Sequence, residues 1–130
     1  MIKFKYTILY VADVEKSVTF YENAFACTRT FVTPDNDYGE LLTGETTLSF
    51  ASKTLAASNL KDGFQAASLA EKPFGIEIGF ITDDVEKLVA DAIKHGATLY
   101  QAPLVKPWGQ TVAYVRDLDG FLVEICTEMK

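Results

Sequence analysis

Asp13-Val14-Glu15-Lys16 recurs as Asp84-Val85-Glu86-Lys87, at an offset of 84 − 13 = 71 residues. Each copy follows an apolar, strand-like run, Tyr6 to Val11 or Ile76 to Ile81, and opens an amphipathic, helix-like run. The repeated object is a strand-turn-helix unit, and a chain copied at this scale is built from two related modules.

Working outward from the first copy, residues 2–11 alternate as a strand does, with Lys3, Lys5, Thr7, Leu9 and Val11 on one face and Phe4, Tyr6, Ile8 and Tyr10 on the other. Both faces turn apolar after Lys5, which suits a strand covered on both sides. Asp13 has the short acceptor side chain that satisfies the free N–H groups of a first helical turn, and Glu15 adds charge favourable to the dipole there. Val14, Val18, Tyr21 and Phe25, with the small Ser17 and Ala24, make the stripe that docks this helix. Three short strands follow at 28–33, 38–43 and 46–51, separated by Pro34-Asp35-Asn36-Asp37 and Gly44-Glu45.

The second copy restarts at Phe74. Ile76, Ile78 and Phe80 share one face of its strand, and Glu77, Gly79 and Ile81 the other. Either Asp83 or Asp84 caps a helix with the stripe Val85, Leu88, Val89, Ala92 and Ile93, and Gly96 ends it as a left-handed cap residue. Strands at 98–101, 110–116 and 121–127 complete the module, with a Pro-flanked loop through Pro103 and Pro107 and the turn Asp117-Leu118-Asp119-Gly120. The expected organisation is one domain over 1–130: a β-α-β-β-β module at 1–51, a connection at 52–73 containing a short helix, and a second β-α-β-β-β module at 74–130. The connection exceeds an ordinary loop, which suits crossing to a partner or covering a pocket.

The chain has 130 residues, 48% hydrophobic and 23% charged, enough to bury a core without staples. A net charge of −6 and a pI near 4.7 argue against nucleic acid or an acidic membrane surface as partner. No apolar run reaches membrane-spanning length and no signal-peptide h-region is present, so the expected location is cytoplasmic. Cys27 and Cys126 lack metal-binding spacing; their spacing leaves a disulfide open without requiring one, and they read as buried, reduced thiols.

Val11-x-Asp13-(x)3-Ser17-(x)2-Phe20-Tyr21 and Asp117-x-Asp119-Gly120-(x)3-Glu124, set in the two-module pattern, resemble the vicinal oxygen chelate superfamily. This is the superfamily of glyoxalases, bleomycin-resistance proteins and extradiol dioxygenases. The resemblance implies an α+β fold with curved mixed sheets around a cleft. It also implies a homodimer, in some members one that exchanges halves. It implies metal ligands as well: a His in the first strand of one or both modules, seven residues before the capping Asp, and a Glu in the last strand of one or both, four residues after the turn Gly. In this chain the first-strand places fall on Tyr6 and Glu77, and the last-strand places on Leu48 and Glu124. The only histidine, His95, lies at a helix end, where it interacts with the helix dipole.

The expectation is thus a metal-free small-molecule binding protein with no cofactor. It captures a hydrophobic or cationic ligand, as antibiotic-sequestering members do, in an aromatic cleft with acidic anchors. Its expected ligand-binding residues are Tyr6, Leu48, Phe50, Glu77, Trp108, Val112, Tyr114 and Glu124, while Arg29, Lys106 and Arg116 are expected to be solvated. Glu77 and Glu124 are also the candidate catalytic residues, and with waters they offer oxygen ligands to a hard divalent cation such as Mg²⁺ or Mn²⁺. The alternative is a metal-dependent lyase or isomerase of the glyoxalase type, against which the absent histidines count.

Overall fold

The structure, a computed structural model, describes residues 1–129. Two compact units divide the chain, one over Met1–Ala66 and one starting at Ala67. Each contains a four-stranded mixed sheet, and the fold is α+β.

The first unit runs β1 (Thr7–Val11), α1 (Val14–Phe25), β2 (Thr28–Val32), β3 (Tyr38–Leu42), β4 (Thr47–Ser52) and α2 (Lys53–Asn59). Its strand order is β1-β4-β3-β2, with β1 parallel to β4 and the other pairs antiparallel. The second unit runs β5 (Glu77–Ile81), α3 (Val85–Lys94), β6 (Thr98–Val105), β7 (Thr111–Arg116) and β8 (Leu122–Cys126), in the matching order β5-β8-β7-β6. Among the described residues no helix is long and apolar enough to cross a membrane.

The helices begin where cap chemistry places them. Asp13 accepts from the Lys16 N–H, and Asp84, rather than Asp83, accepts from the Lys87 N–H, each at 3.1 Å. Asp13 also accepts from the Asn36 side chain, which ties α1 to the β2–β3 loop. Of the expected α1 stripe, Val14, Ser17, Val18, Tyr21 and Ala24 are buried against the sheet. α3 ends at His95, whose N–H bonds the Asp91 and Ala92 carbonyls, followed by Gly96 at φ +119.

Two expectations change. β1 begins only at Thr7, and residues 1–6 are exposed and outside the sheet. β6 extends to Val105 instead of stopping at Gln101, because it is an edge strand with register shifts between Leu99 and Leu104. A proline is tolerated at such an irregular edge, so Pro103 stays within the strand.

Candidate functional site

Each sheet carries its long helix on one face. In the first module strand alternation sends Leu41, Leu48 and Phe50 toward α1, and the rings of Phe50 and Tyr21 lie 5.4 Å apart. Leu48 and Phe50, expected beside Tyr6, therefore sit on the helix-bearing face and belong to the core. The register shows why. Ile8 of β1 pairs with Ser49 of β4, as Gly79 of β5 pairs with Glu124 of β8. Ser49 is thus the counterpart of Glu124. The hairpin before β4 spans 43–46 and the one before β8 spans 117–121, so counting from the turn glycines misplaces the position by one residue. A slip of one residue changes the face.

On the helix-free face of the second sheet lie Glu77, Gly79, Val112, Tyr114, Glu124 and Cys126, grouped by the pairings Gly79–Glu124, Tyr114–Glu124 and Val112–Cys126. The Tyr114 hydroxyl donates to Glu124 Oε2 at 3.3 Å, and the Cys126 thiol donates to Glu124 Oε1 at 3.4 Å. Gly79 leaves space next to that oxygen, since a Cβ there would touch Oε1 at 3.4 Å. Burial, and then the charge of Glu124, holds the Glu77 carboxyl above the usual glutamate range. Burial pushes the Tyr114 phenol up to about 12, with the charges of Glu77 and Glu124 adding to it. Burial and the bond to Glu124 push the Cys126 thiol up to about 11, so it stays protonated at neutral pH. The group holds negative charge, hydroxyl and thiol against an apolar floor.

Trp108 is 62% exposed on the β6–β7 turn. Its indole N–H donates to Gln110 Oε1 at 2.9 Å, and Gln110 Nε2 donates to the Thr127 carbonyl at 2.9 Å. Gln110 also influences the Cys126 thiol, in the direction opposite to Glu124. A residue absent from the sequence-based site thereby links the indole to the acidic group. Its signal was available, because Gln110 shares the alternation of Val112 and Tyr114.

The helix-free face of the first sheet carries Ile8, Tyr38, Glu40 and Ser49, and Tyr6 lies one residue before β1. Tyr6 is 43% exposed. The Tyr38 hydroxyl donates to Glu40 Oε2 at 2.8 Å, and its ring lies 5.8 Å from that of Phe31. Burial pushes the Tyr38 phenol up; Ser49 opposes this and Glu40 reinforces it.

The four places at which the family resemblance implies metal ligands hold Tyr6 and Ser49 in one module and Glu77 and Glu124 in the other, with no imidazole. Both Glu124 oxygens already accept hydrogen bonds, and among the described residues no three His, Cys, Asp or Glu side chains are grouped to hold a metal ion. This donor set fits a divalent transition metal poorly.

The basic residues depart from expectation. Arg29 pairs with Glu15 and Glu22, reaching Glu22 Oε1 at 2.8 Å. Arg116 is not solvated but buried, donating to the carbonyls of Gly120, Glu71 and Ser68 at 2.7 to 3.0 Å. It ties residues 68–71 to the β7–β8 turn. Asp117 organises the same turn, its Oδ1 accepting from the N–H groups of Asp119, Gly120 and Phe121.

A family model described as a glyoxalase-like domain matches residues 4–130. A hypothetical protein of S. aureus is 23% identical, over 98% of this chain and 95% of that one, with a TM-score of 0.81. A glyoxalase/bleomycin resistance protein/dioxygenase family enzyme from Burkholderia phytofirmans PsJN is 21% identical, over 95% and 96%, with a TM-score of 0.80. TioX from Micromonospora sp. ML1 is 20% identical, over 96% and 98%, with a TM-score of 0.70. No curated protein matches.

Proposed function

We propose, from the premise that the chain belongs to the glyoxalase-like domain family, that it is a small-molecule binding protein that captures a hydrophobic, cationic ligand without a metal. The observation that carries this reading is the acidic group on the helix-free face of the second sheet, where Glu77 and Glu124 stand with Tyr114 and Cys126 and, among the described residues, no basic side chain pairs with either carboxylate. Two neighbouring carboxylates repel, and a ligand cation relieves that repulsion while its apolar body covers Val112 and the exposed indole of Trp108. Capture is stoichiometric, as in a sequestering protein, and the net charge of −6 draws cations toward the chain. In this reading the protein acts as a homodimer in the cytoplasm, with neither nucleic acid nor membrane as partner. Exposed Ile2, Phe4, Ile76 and Val105 support burial against a second copy.

A panel of planar hydrophobic cations, titrated while Trp108 fluorescence is followed, tests the proposal. A binding cation should shift the emission, and E77Q/E124Q should weaken it about tenfold, the loss expected when charged hydrogen bonds are removed. Equal affinity for hydrophobic anions, undiminished in E77Q/E124Q, would end this reading. The raised Glu77 carboxyl favours a second reading, a metal-dependent glyoxalase-type lyase or isomerase, since such a group is poised for proton transfer. Stoichiometric uptake of Ni²⁺, Zn²⁺, Mn²⁺ or Fe²⁺ with a rise in Tm would favour it.

A further inference from the structure

Ser49 presents an unsatisfied polar atom. The residue is fully buried, and among the described residues its Oγ meets no partner at full hydrogen-bond geometry, although it lies near enough to the Tyr38 hydroxyl to oppose the rise of that phenol. Burying a hydroxyl without a partner opposes folding, so such an atom is retained where something else compensates. Its setting shows what that would be. Ser49 pairs with Glu40 on one side and with Ile8 on the other, so its side chain belongs to the helix-free face of the first sheet, in the same row as the Glu40 carboxylate. The Tyr38 hydroxyl spends its proton on Glu40 Oε2, which leaves Oε1 free to accept. No basic side chain pairs with Glu40 among the described residues.

One row therefore offers a carboxylate oxygen and a hydroxyl oxygen beside the Tyr38 hydroxyl and the aromatic rings of Tyr38 and Phe31. We propose that Tyr38, Glu40 and Ser49 form a second polar anchor, which binds a primary ammonium group through N–H donation to Glu40 and Ser49. An ammonium matches this row because it carries the missing charge and several donors at once. A quaternary ammonium has the charge without the donors, and an alcohol has a donor without the charge. Ile8, which pairs with Ser49, is itself 36% exposed, and binding at the buried hydroxyl requires its side chain to shift. This anchor rests on the reading of the chain as a small-molecule binder, and assigns the first module a ligand group of its own, a primary amine.

The test uses the full chain and three probes: 2-phenylethylammonium, its N,N,N-trimethyl analogue and 2-phenylethanol. Backbone amide shifts are followed by NMR in the wild type, S49A and E40Q. The primary ammonium should produce saturable shifts at Tyr38, Glu40 and Ser49. Affinity should fall about tenfold in either variant and for either of the other probes, the equivalent of one charge-assisted hydrogen bond. S49A should also melt above the wild type, since it removes the unsatisfied hydroxyl; this shows that the variant is folded. Unchanged affinity in S49A, or equal binding of the trimethyl analogue, would overturn the anchor. Shifts confined to the surroundings of Glu77 and Glu124 would overturn it too while leaving the binding function intact. Absence of any shift with the primary ammonium would overturn the anchor alone, because the planar-cation panel tests the function separately.

Discussion

The two modules share a strand order, a capped helix and a register, and differ in what their helix-free faces carry. Where the second module has Glu77, Tyr114 and Glu124, the first has Tyr6, Glu40 and Ser49 at the matching register positions. One carboxylate occupies a β3 position in the first module, and two occupy β5 and β8 positions in the second. The backbone is thus a constant and the chemistry is written on every second residue of three strands. Family membership alone carries little about function, which resides in those few side chains.

The helix-bearing faces provide the strictest check that the modules are equivalent. Phe50 and Ile125 are counterparts, both fully buried beneath their helices. Phe50→Ala should cost about 4 kcal/mol and Ile125→Ala about 3 kcal/mol in urea unfolding, the range for emptied core positions. A negligible loss for Phe50→Ala, accompanied by impaired ligand binding, would return Phe50 to the ligand-facing side and break the register argument.

Leu42 and Arg116 are also counterparts, paired with Thr47 and Leu122 respectively. Leu42 is 49% exposed, whereas Arg116 is buried with its donors on three carbonyls. Arg116→Ala should lower stability by about 3 kcal/mol, because it leaves buried carbonyls without a donor, while Leu42→Ala should change it by less than about 0.5 kcal/mol. Equal urea midpoints for the two variants would show that the clamp on residues 68–71 carries no weight.

The smallest effect concerns Glu77, whose counterpart is Tyr6. The folded protein disfavours the ionised Glu77, through burial first and Glu124 second. The stability linked to this group is therefore complete below its ordinary value of 4.5 and lost as pH rises through the raised folded value. Glu77→Gln should raise Tm at neutral pH by about 2 °C, a modest gain because the side chain is partly solvated, and the gain should fade as the solution is acidified. A Glu77→Gln gain that persisted in acid would argue for a packing effect instead.

What the sequence discloses follows from how local each interaction is. Asp13 and Asp84 are legible because a cap acts on a backbone group three residues away. Glu77 and Glu124 are assigned to the helix-free face by alternation with aliphatics, which needs only their neighbours. Ser49 is concealed because two hairpins of different length shift the count from glycine. The burial of Arg116 is concealed because its acceptors at Ser68 and Glu71 lie 48 and 45 residues away. Pro103 marks a loop by composition, yet an edge strand with an irregular register accommodates it.

The parallel pairing of first and last strands has a kinetic consequence. Thr7 meets Leu48, a separation of 48 − 7 = 41 residues, whereas β3 and β4 are joined by a short hairpin. Closing the longer loop costs more chain entropy, so β1 and β5 are the strands whose docking delays each module. Until they arrive, β4 and β8 each keep an unpaired edge. A nascent chain holds the whole of its first module, β1 included, before β5 is synthesised, so that edge is closed before a second one like it exists.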